Sequence, residues 1–169
     1  AYYTDGEDIR ISAQENKARS VLWEPPSPTI LPKGEEKEKL KEGPSGNFEA
    51  AFSADGRQMA LVLEREEGSD IFISSWDGRL WSAPEPITNI NTDSNERGPA
   101  FSASGNYLYF SSDRKGGQGG YDIYAALWNG AEWTNVKGMG PIVNGPGNET
   151  GPAPSSDDSI LYFSSDRNV

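Results

Sequence analysis

The chain has 169 residues, 34% of them hydrophobic and 11% aromatic, with 19 Gly and 12 Pro, a profile that suits many short strands joined by frequent turns. Fifteen Lys and Arg against 26 Asp and Glu give a net charge of −11, which opposes phosphate backbones and anionic headgroups and speaks against a nucleic-acid partner. The absence of Cys excludes disulfides and thiolate metal sites; the absence of His removes the commonest general base, the commonest transition-metal ligand and any Ser-His-Asp triad within the segment.

Ala1-Tyr2-Tyr3-Thr4-Asp5 has neither the basic nor the apolar region of a signal peptide and reads as mid-strand sequence, so the segment is expected to be excised from a longer chain. No stretch approaches the roughly 20 apolar residues that cross a bilayer, and no membrane span is expected. Asp8-Ile9-Arg10-Ile11 reads as a strand, and the stretch from Trp23 to Ile30 as the close of the same unit. The run of Lys and Glu over 33–42 reads as a solvated loop with room for one helical turn, against a functional charge patch.

From Phe48 onward the chain can be laid over itself. Phe48-Glu-Ala-Ala-Phe-Ser-Ala-Asp-Gly56, Asn95-Glu-Arg-Gly-Pro-Ala-Phe-Ser-Ala-Ser-Gly105 and Asn148-Glu-Thr-Gly-Pro-Ala-Pro-Ser-Ser-Asp-Asp158 align, and nine residues beyond each stands Arg65, Arg114 or Arg167. Asp70-Ile-Phe and Asp122-Ile-Tyr follow, then Trp76 or Trp128, then Trp81 or Trp133, and each unit closes on Pro86-Ile87 or Pro141-Ile142. Within a unit, aromatic and β-branched runs such as Tyr107-Leu-Tyr-Phe-Ser follow Ala-Ser-Gly turns, and Asp77-Gly78 and Asn129-Gly130 mark a second hairpin. Four strands per unit, a period near fifty and no helical periodicity predict an all-β fold: a β-propeller segment of four-stranded antiparallel blades. The boundaries predicted are a preceding blade's end plus the charged loop at 1–45, complete blades at 46–92 and 93–144, and the start of a further blade at 145–169. Two blades and two parts cannot close a ring, so either the same chain or a second copy is expected to supply the remainder.

At Pro99-Ala-Phe-Ser-Ala-Ser-Gly105, Leu108-Tyr-Phe-Ser-Ser-Asp-Arg114, Gly116-Gly-Gln-Gly-Gly-Tyr-Asp-Ile-Tyr124 and Ile142-Val-Asn144 leading to Asn148-Glu149, the chain resembles the WD-like, TolB-type propeller repeats, including those of envelope proteins that carry an OmpA-like peptidoglycan-binding domain. The resemblance implies an extracytoplasmic module, periplasmic or outer-membrane-associated, that binds protein partners such as peptidoglycan-associated envelope proteins and is not itself catalytic. The first unit departs from the pattern at Val62-Leu63-Glu64 and Glu66-Glu67-Gly68-Ser69, which replace Ser-Ser-Asp and the glycine-rich loop.

The sharpest constellation pairs an acid at the start of each first strand with an arginine at the end of the second: Glu49 with Arg65, Glu96 with Arg114, Glu149 with Arg167. An antiparallel hairpin returns them to one end, where they are expected to form structural ion pairs, with a ring of charged binding sites as the alternative. Asp113, Asp166 and Asp93-Ser-Asn-Glu96 offer oxygens for calcium, but match no EF-hand spacing and stand beside arginines. Trp76, Trp81, Trp128 and Trp133 are expected to pack in the core rather than to stack on sugars. The glycine-rich loop leads into a strand, so it is no phosphate cradle, and Ser53 and Ser102 have no visible base. No catalytic, cofactor-binding or metal-binding residue is therefore assigned. The leading function is a non-catalytic binding or scaffolding propeller; the alternative is the propeller of an extracytoplasmic hydrolase or peptidase whose catalytic residues lie outside the segment.

Overall fold

The computed structural model describes residues 2–4, 9–11, 49–66 and 68–167, and every regular element in them is a strand. Strands β1 (Tyr2–Thr4) and β2 (Ile9–Ile11) pair antiparallel. The placement of Trp23 to Ile30 and of the charged run 33–42 lies outside the described residues. Among the described residues no helix is long and apolar enough to cross a membrane.

The first four-stranded sheet runs in the order β3 (Ala50–Phe52), β4 (Gln58–Arg65), β5 (Gly68–Ser75), β6 (Glu85–Pro86). The second repeats it with β7 (Glu96–Phe101), β8 (Tyr107–Ser112), β9 (Asp122–Trp128) and β10 (Trp133–Gly138), and a third pair joins β11 (Glu149–Pro154) to β12 (Leu161–Ser165). All pairings are antiparallel.

The first hairpin of each sheet closes through one device. The Ser53 hydroxyl accepts the Gln58 N–H at 2.9 Å, Ser102 accepts Tyr107 and Ser155 accepts Ile160, both at 3.0 Å. The turn residue then needs positive φ, supplied by Gly56 (67°), Gly105 (72°) and, in the third pair, Asp158 (58°). Asp158 compensates for the strain by capping the preceding sheet's turn: its carboxylate accepts the Ala103 and Ser104 N–H groups at 2.6 and 2.9 Å.

Strands β7 and β11 each carry one extra residue at Gly98-Pro99 and Gly151-Pro152, where the register shifts and the glycines sit at φ 58° and 61°. Strand β3 has no such Gly-Pro and pairs regularly with β4. The core forms between the first two sheets. Ala60 and Val62 of β4, with Ile71, Ile87 and Ile90, meet Phe101, Leu108, Phe110, Tyr124, Ala126 and Trp133. The alternate residues of β4, Met59, Leu61 and Leu63, gather Phe52, Phe72 and Trp81 on the opposite face, so β4 is apolar on both sides.

Pro86-Ile87 and Pro141-Ile142 do not occupy equivalent places. The Ile71 carbonyl accepts the Ile87 N–H, but the Ile123 carbonyl accepts Met139, so Ile87 is 7% exposed and Ile142 is 92% exposed.

Candidate functional site

Where each first strand begins and each second strand ends, the second sheet and third pair build the same polar hub. Glu96 is fully buried; its Oε1 accepts the hydroxyls of Ser112 (2.7 Å) and Thr92 (2.8 Å) and lies 3.2 Å from Arg114 Nη2, while Oε2 accepts the Thr92 N–H. Glu149, equally buried, takes the Ser165 hydroxyl at 2.5 Å, the Gly145 N–H at 2.7 Å and Arg167 Nε at 3.3 Å. Each arginine also donates to the connector before its glutamate, Arg114 to the Ile90 carbonyl and Arg167 to the Val143 carbonyl. Arg114 lies over the rings of Phe110 and Tyr124, at 5.2 and 4.6 Å.

The first sheet is wired differently: Glu49 does not meet Arg65. Arg65 bonds Asp70 at 2.5 Å, across the tight hairpin that pairs Arg65 with Gly68. Burial, opposed by the Arg65 charge, raises the pKa of Asp70 above the ordinary carboxylate range. Glu49 lies opposite Val62, whose N–H reaches the Glu49 carbonyl, and therefore holds the register place of Arg97 opposite Ser111 and of Thr150 opposite Ser164. A shift of one residue turns a side chain to the other face of a strand. Glu49 accordingly accepts the Gly98 N–H at 2.6 Å and stands 3.7 Å from Arg97.

Four asparagines carry more of this end than their sequence positions announce. Asn91 and Asn144 pair edge-on with backbone: Asn91 accepts the Ile71 N–H and donates to the Ile71 carbonyl, both at 2.9 Å, and Asn144 does the same to Ile123. Asn95 and Asn148 join neighbouring sheets. Asn95 gives its N–H and side-chain amide to Asp113 while its Oδ1 accepts the Ser69 N–H. Asn148 gives the same two groups to Asp166 and accepts the Tyr121 N–H. The Asn148 bonds hold the Asp166 pKa below the usual range. The signal was present in the sequence, since each member of the first pair stands five residues before its glutamate and each member of the second directly before it.

The glycine-rich loop is shaped by close approach. A Cβ on Gly119 would collide with the carbonyls of Gly145 and Gly147, and one on Gly120 with Asn148 Oδ1. Gly117 lies against Asp122, whose Oδ2 accepts the Gln118 and Gly119 N–H groups at 2.8 and 3.3 Å. The loop thus folds onto the connector of the next repeat while its residues 115–120 remain exposed.

The remaining sequence candidates also have partners within the described residues. Both Asp113 oxygens and both Asp166 oxygens are taken by Asn95 and Asn148, and among the described residues no cluster of three or more acidic side chains could hold a metal. Trp76 and Trp81 lie 5.5 Å apart, with Phe52 on Trp81; Trp128 and Trp133 lie 5.1 Å apart, with Phe101 on Trp133. Ser53 and Ser102 hold turns.

What the frame leaves over is a cluster at the same end. Arg97 bonds Glu64 of the first sheet at 2.8 Å and stands near Glu49 and the Tyr121 phenol. Burial opposes the Arg97 charge, but Glu64 and Glu49 outweigh it and raise its pKa. Burial and then the Asp113 charge raise that of Tyr121.

No protein-family model and no curated protein matches the chain. Among solved structures it is similar to a putative TolB from Agrobacterium tumefaciens, at 21% identity and TM-score 0.54, over 70% of this chain and 37% of that one. It also matches TolB from Acinetobacter baumannii at 17% identity and TM-score 0.48, over 71% of this chain and 27% of that one. The chain therefore spans little more than a third of the first of these and about a quarter of the second. The likeness is one of fold: the chain is an all-β stretch of β-propeller, built of four-stranded antiparallel blades and similar in fold to the TolB propeller.

Proposed function

We propose that the chain is part of a non-catalytic binding or scaffolding β-propeller of a bacterial cell envelope, periplasmic or associated with the outer membrane, whose partners are proteins, peptidoglycan-associated ones included. One observation carries the reading. Glu49, Arg97 and Thr150 hold one register place on successive first strands and differ in chemistry, on a frame whose repeated Glu, Arg, Asn and Asp side chains are consumed in holding blades together. Constant joints with a variable rim are what a recognition surface requires. The likeness of fold to TolB and the resemblance of the repeats to those of envelope propellers support the location. The division into blades at 46–92 and 93–144, with 1–45 and 145–169 belonging to neighbouring blades, is part of the same reading, as is the structural role of the buried glutamate–arginine pairs.

The test is retention of solubilised envelope proteins and of purified peptidoglycan on the immobilised protein, beside an Arg97→Glu variant with the same melting temperature. Selective retention that Arg97→Glu abolishes supports the reading. Absent retention, or retention indifferent to Arg97, removes it. Hydrolysis of ester or peptide substrates by the whole protein would favour the enzyme alternative.

A further inference from the structure

The chain holds two Asn-Gly dipeptides, Asn129-Gly130 and Asn144-Gly145, in opposite surroundings. Asn129 and Gly130 are exposed at the tip of the β9–β10 hairpin. The Asn129 Oδ1 accepts the Ala131 and Glu132 N–H groups, both at 2.9 Å, and no acceptor among the described residues holds the Gly130 N–H. Asn144 is 3% exposed, both ends of its amide are bound to Ile123, and the Gly145 N–H is donated to the Glu149 carboxylate at 2.7 Å.

We propose that Asn129 is a site of spontaneous deamidation in the folded protein and that Asn144 is not. The Gly130 nitrogen loses its proton to hydroxide and attacks Asn129 Cγ; a C–N bond forms, the Cγ–Nδ2 bond breaks, and ammonia leaves with the proton. Water then opens the cyclic imide at either carbonyl to give aspartate or isoaspartate, so the balance is one water in and one ammonia out. Two N–H donors already aimed at Oδ1 stabilise the negative charge that gathers there during the attack, as an oxyanion hole does. Glycine offers no side chain to hinder the approach. At Asn144 the nucleophile is engaged, its deprotonation is opposed by the adjacent Glu149 carboxylate, and hydroxide and water are shut out.

The first blade shows that the aspartate product fits. Asp77-Gly78 occupies the same turn, with Asp77 Oδ1 accepting the Arg79 and Leu80 N–H groups at 2.7 Å each. The isoaspartate product routes the main chain through Cγ and lengthens a turn that sits directly between Trp128 and Trp133, so it loosens that hairpin.

The test is peptide mass spectrometry of the full chain after incubation in mildly alkaline buffer, native and in guanidinium. In guanidinium both asparagines convert. In the native protein Asn129 converts within about 10-fold of its unfolded rate, whereas Asn144 slows by at least about 100-fold, because it needs an opening that the core resists. Native protection of Asn129 equal to that of Asn144 would overturn the proposal. Asp77→Asn places the same dipeptide in the first blade and should convert to aspartate or isoaspartate in the folded protein; an amide that persists there also overturns it. Asn129→Asp should melt no lower than the wild type, and a lower melting temperature would remove the claim that the product fits.

Discussion

Asn144 extends the β9 ladder just past the last residue of β10: its Oδ1 takes the Ile123 N–H at 2.8 Å and its Nδ2 gives a bond to the Ile123 carbonyl at 3.0 Å. The Ile123 N–H, at the start of β9, depends on that one side-chain amide, whereas the Ile123 carbonyl also accepts the Met139 N–H at 2.9 Å. Asn144→Ala should cost about 1–3 kcal/mol for the Ile123 N–H it orphans, read as a fall in the denaturation midpoint at unchanged slope. Asn144→Leu should do no better, since the lost volume is not what matters.

Glu96→Ala removes the carboxylate beneath a mostly covered Arg114. A buried pair broken on one side costs about 3–5 kcal/mol. Glu49→Ala, by contrast, loses a half-exposed partner of Arg97 and should stay within about 1 kcal/mol. Equal losses for the two variants would mean that the first blade uses Glu49 as the others use Glu96 and Glu149.

Gly119→Ala forces a methyl group onto the carbonyls of Gly145 and Gly147, which are backbone and cannot swing away. Overpacking of this kind costs about 1–3 kcal/mol. The local readout is hydrogen exchange at Gly120 and Tyr121, whose N–H groups bond Gly147 and Asn148; their protection should fall before that of Ile123.

Bonds from the Ser155 and Ser159 hydroxyls and the Ser159 N–H lower the Asp157 pKa from 3.8 to about 2. A depressed carboxylate contributes stability that is complete above its unfolded pKa and is lost as pH falls through the folded one. The β11–β12 turn should therefore weaken between pH 3.8 and about 2, and the Ser159 amide resonance should titrate at the lower end of that window. Asp70, whose pKa burial raises, acts in the opposite sense: it favours the fold when protonated, and that contribution fades as pH rises through its folded pKa. Asp157→Asn should abolish the low Ser159 titration and leave Asp70 unaffected.

The repeat made strands, hairpins and the Glu96–Arg114 and Glu149–Arg167 pairs legible, because turn chemistry and the interval to each arginine are local and recur without slippage. Glu49 misled for a reason also visible in the sequence: it precedes Gly56 by seven residues, where Glu96 and Glu149 precede Gly105 and Asp158 by nine. The missing Gly-Pro removes the extra residue from the strand, and with period-two geometry that reverses the face. The asparagine joints were hidden because an asparagine mid-loop has many ordinary uses, and only its distance from the glutamate marks these. Arg97, Glu64 and Tyr121 come together from two blades and carry no repeat signal of their own.

The Gly-Pro insertion in β7 and β11 also protects the molecule from itself. These strands form the outer limit of their sheets, and such a limit invites any passing extended chain to add on. Pro99 and Pro152 have no N–H to offer, and the left-handed glycine before each bends the strand out of line just where a foreign ladder would need it straight. In β3, which lacks the motif, the Glu49 side chain reaches across to the Gly98 N–H of the neighbouring blade and ties down the approach. The same two residues that disturb the register thus act against aggregation, and replacing Gly98-Pro99 by a regular pair such as Val-Thr trades a better-formed strand for a stickier protein.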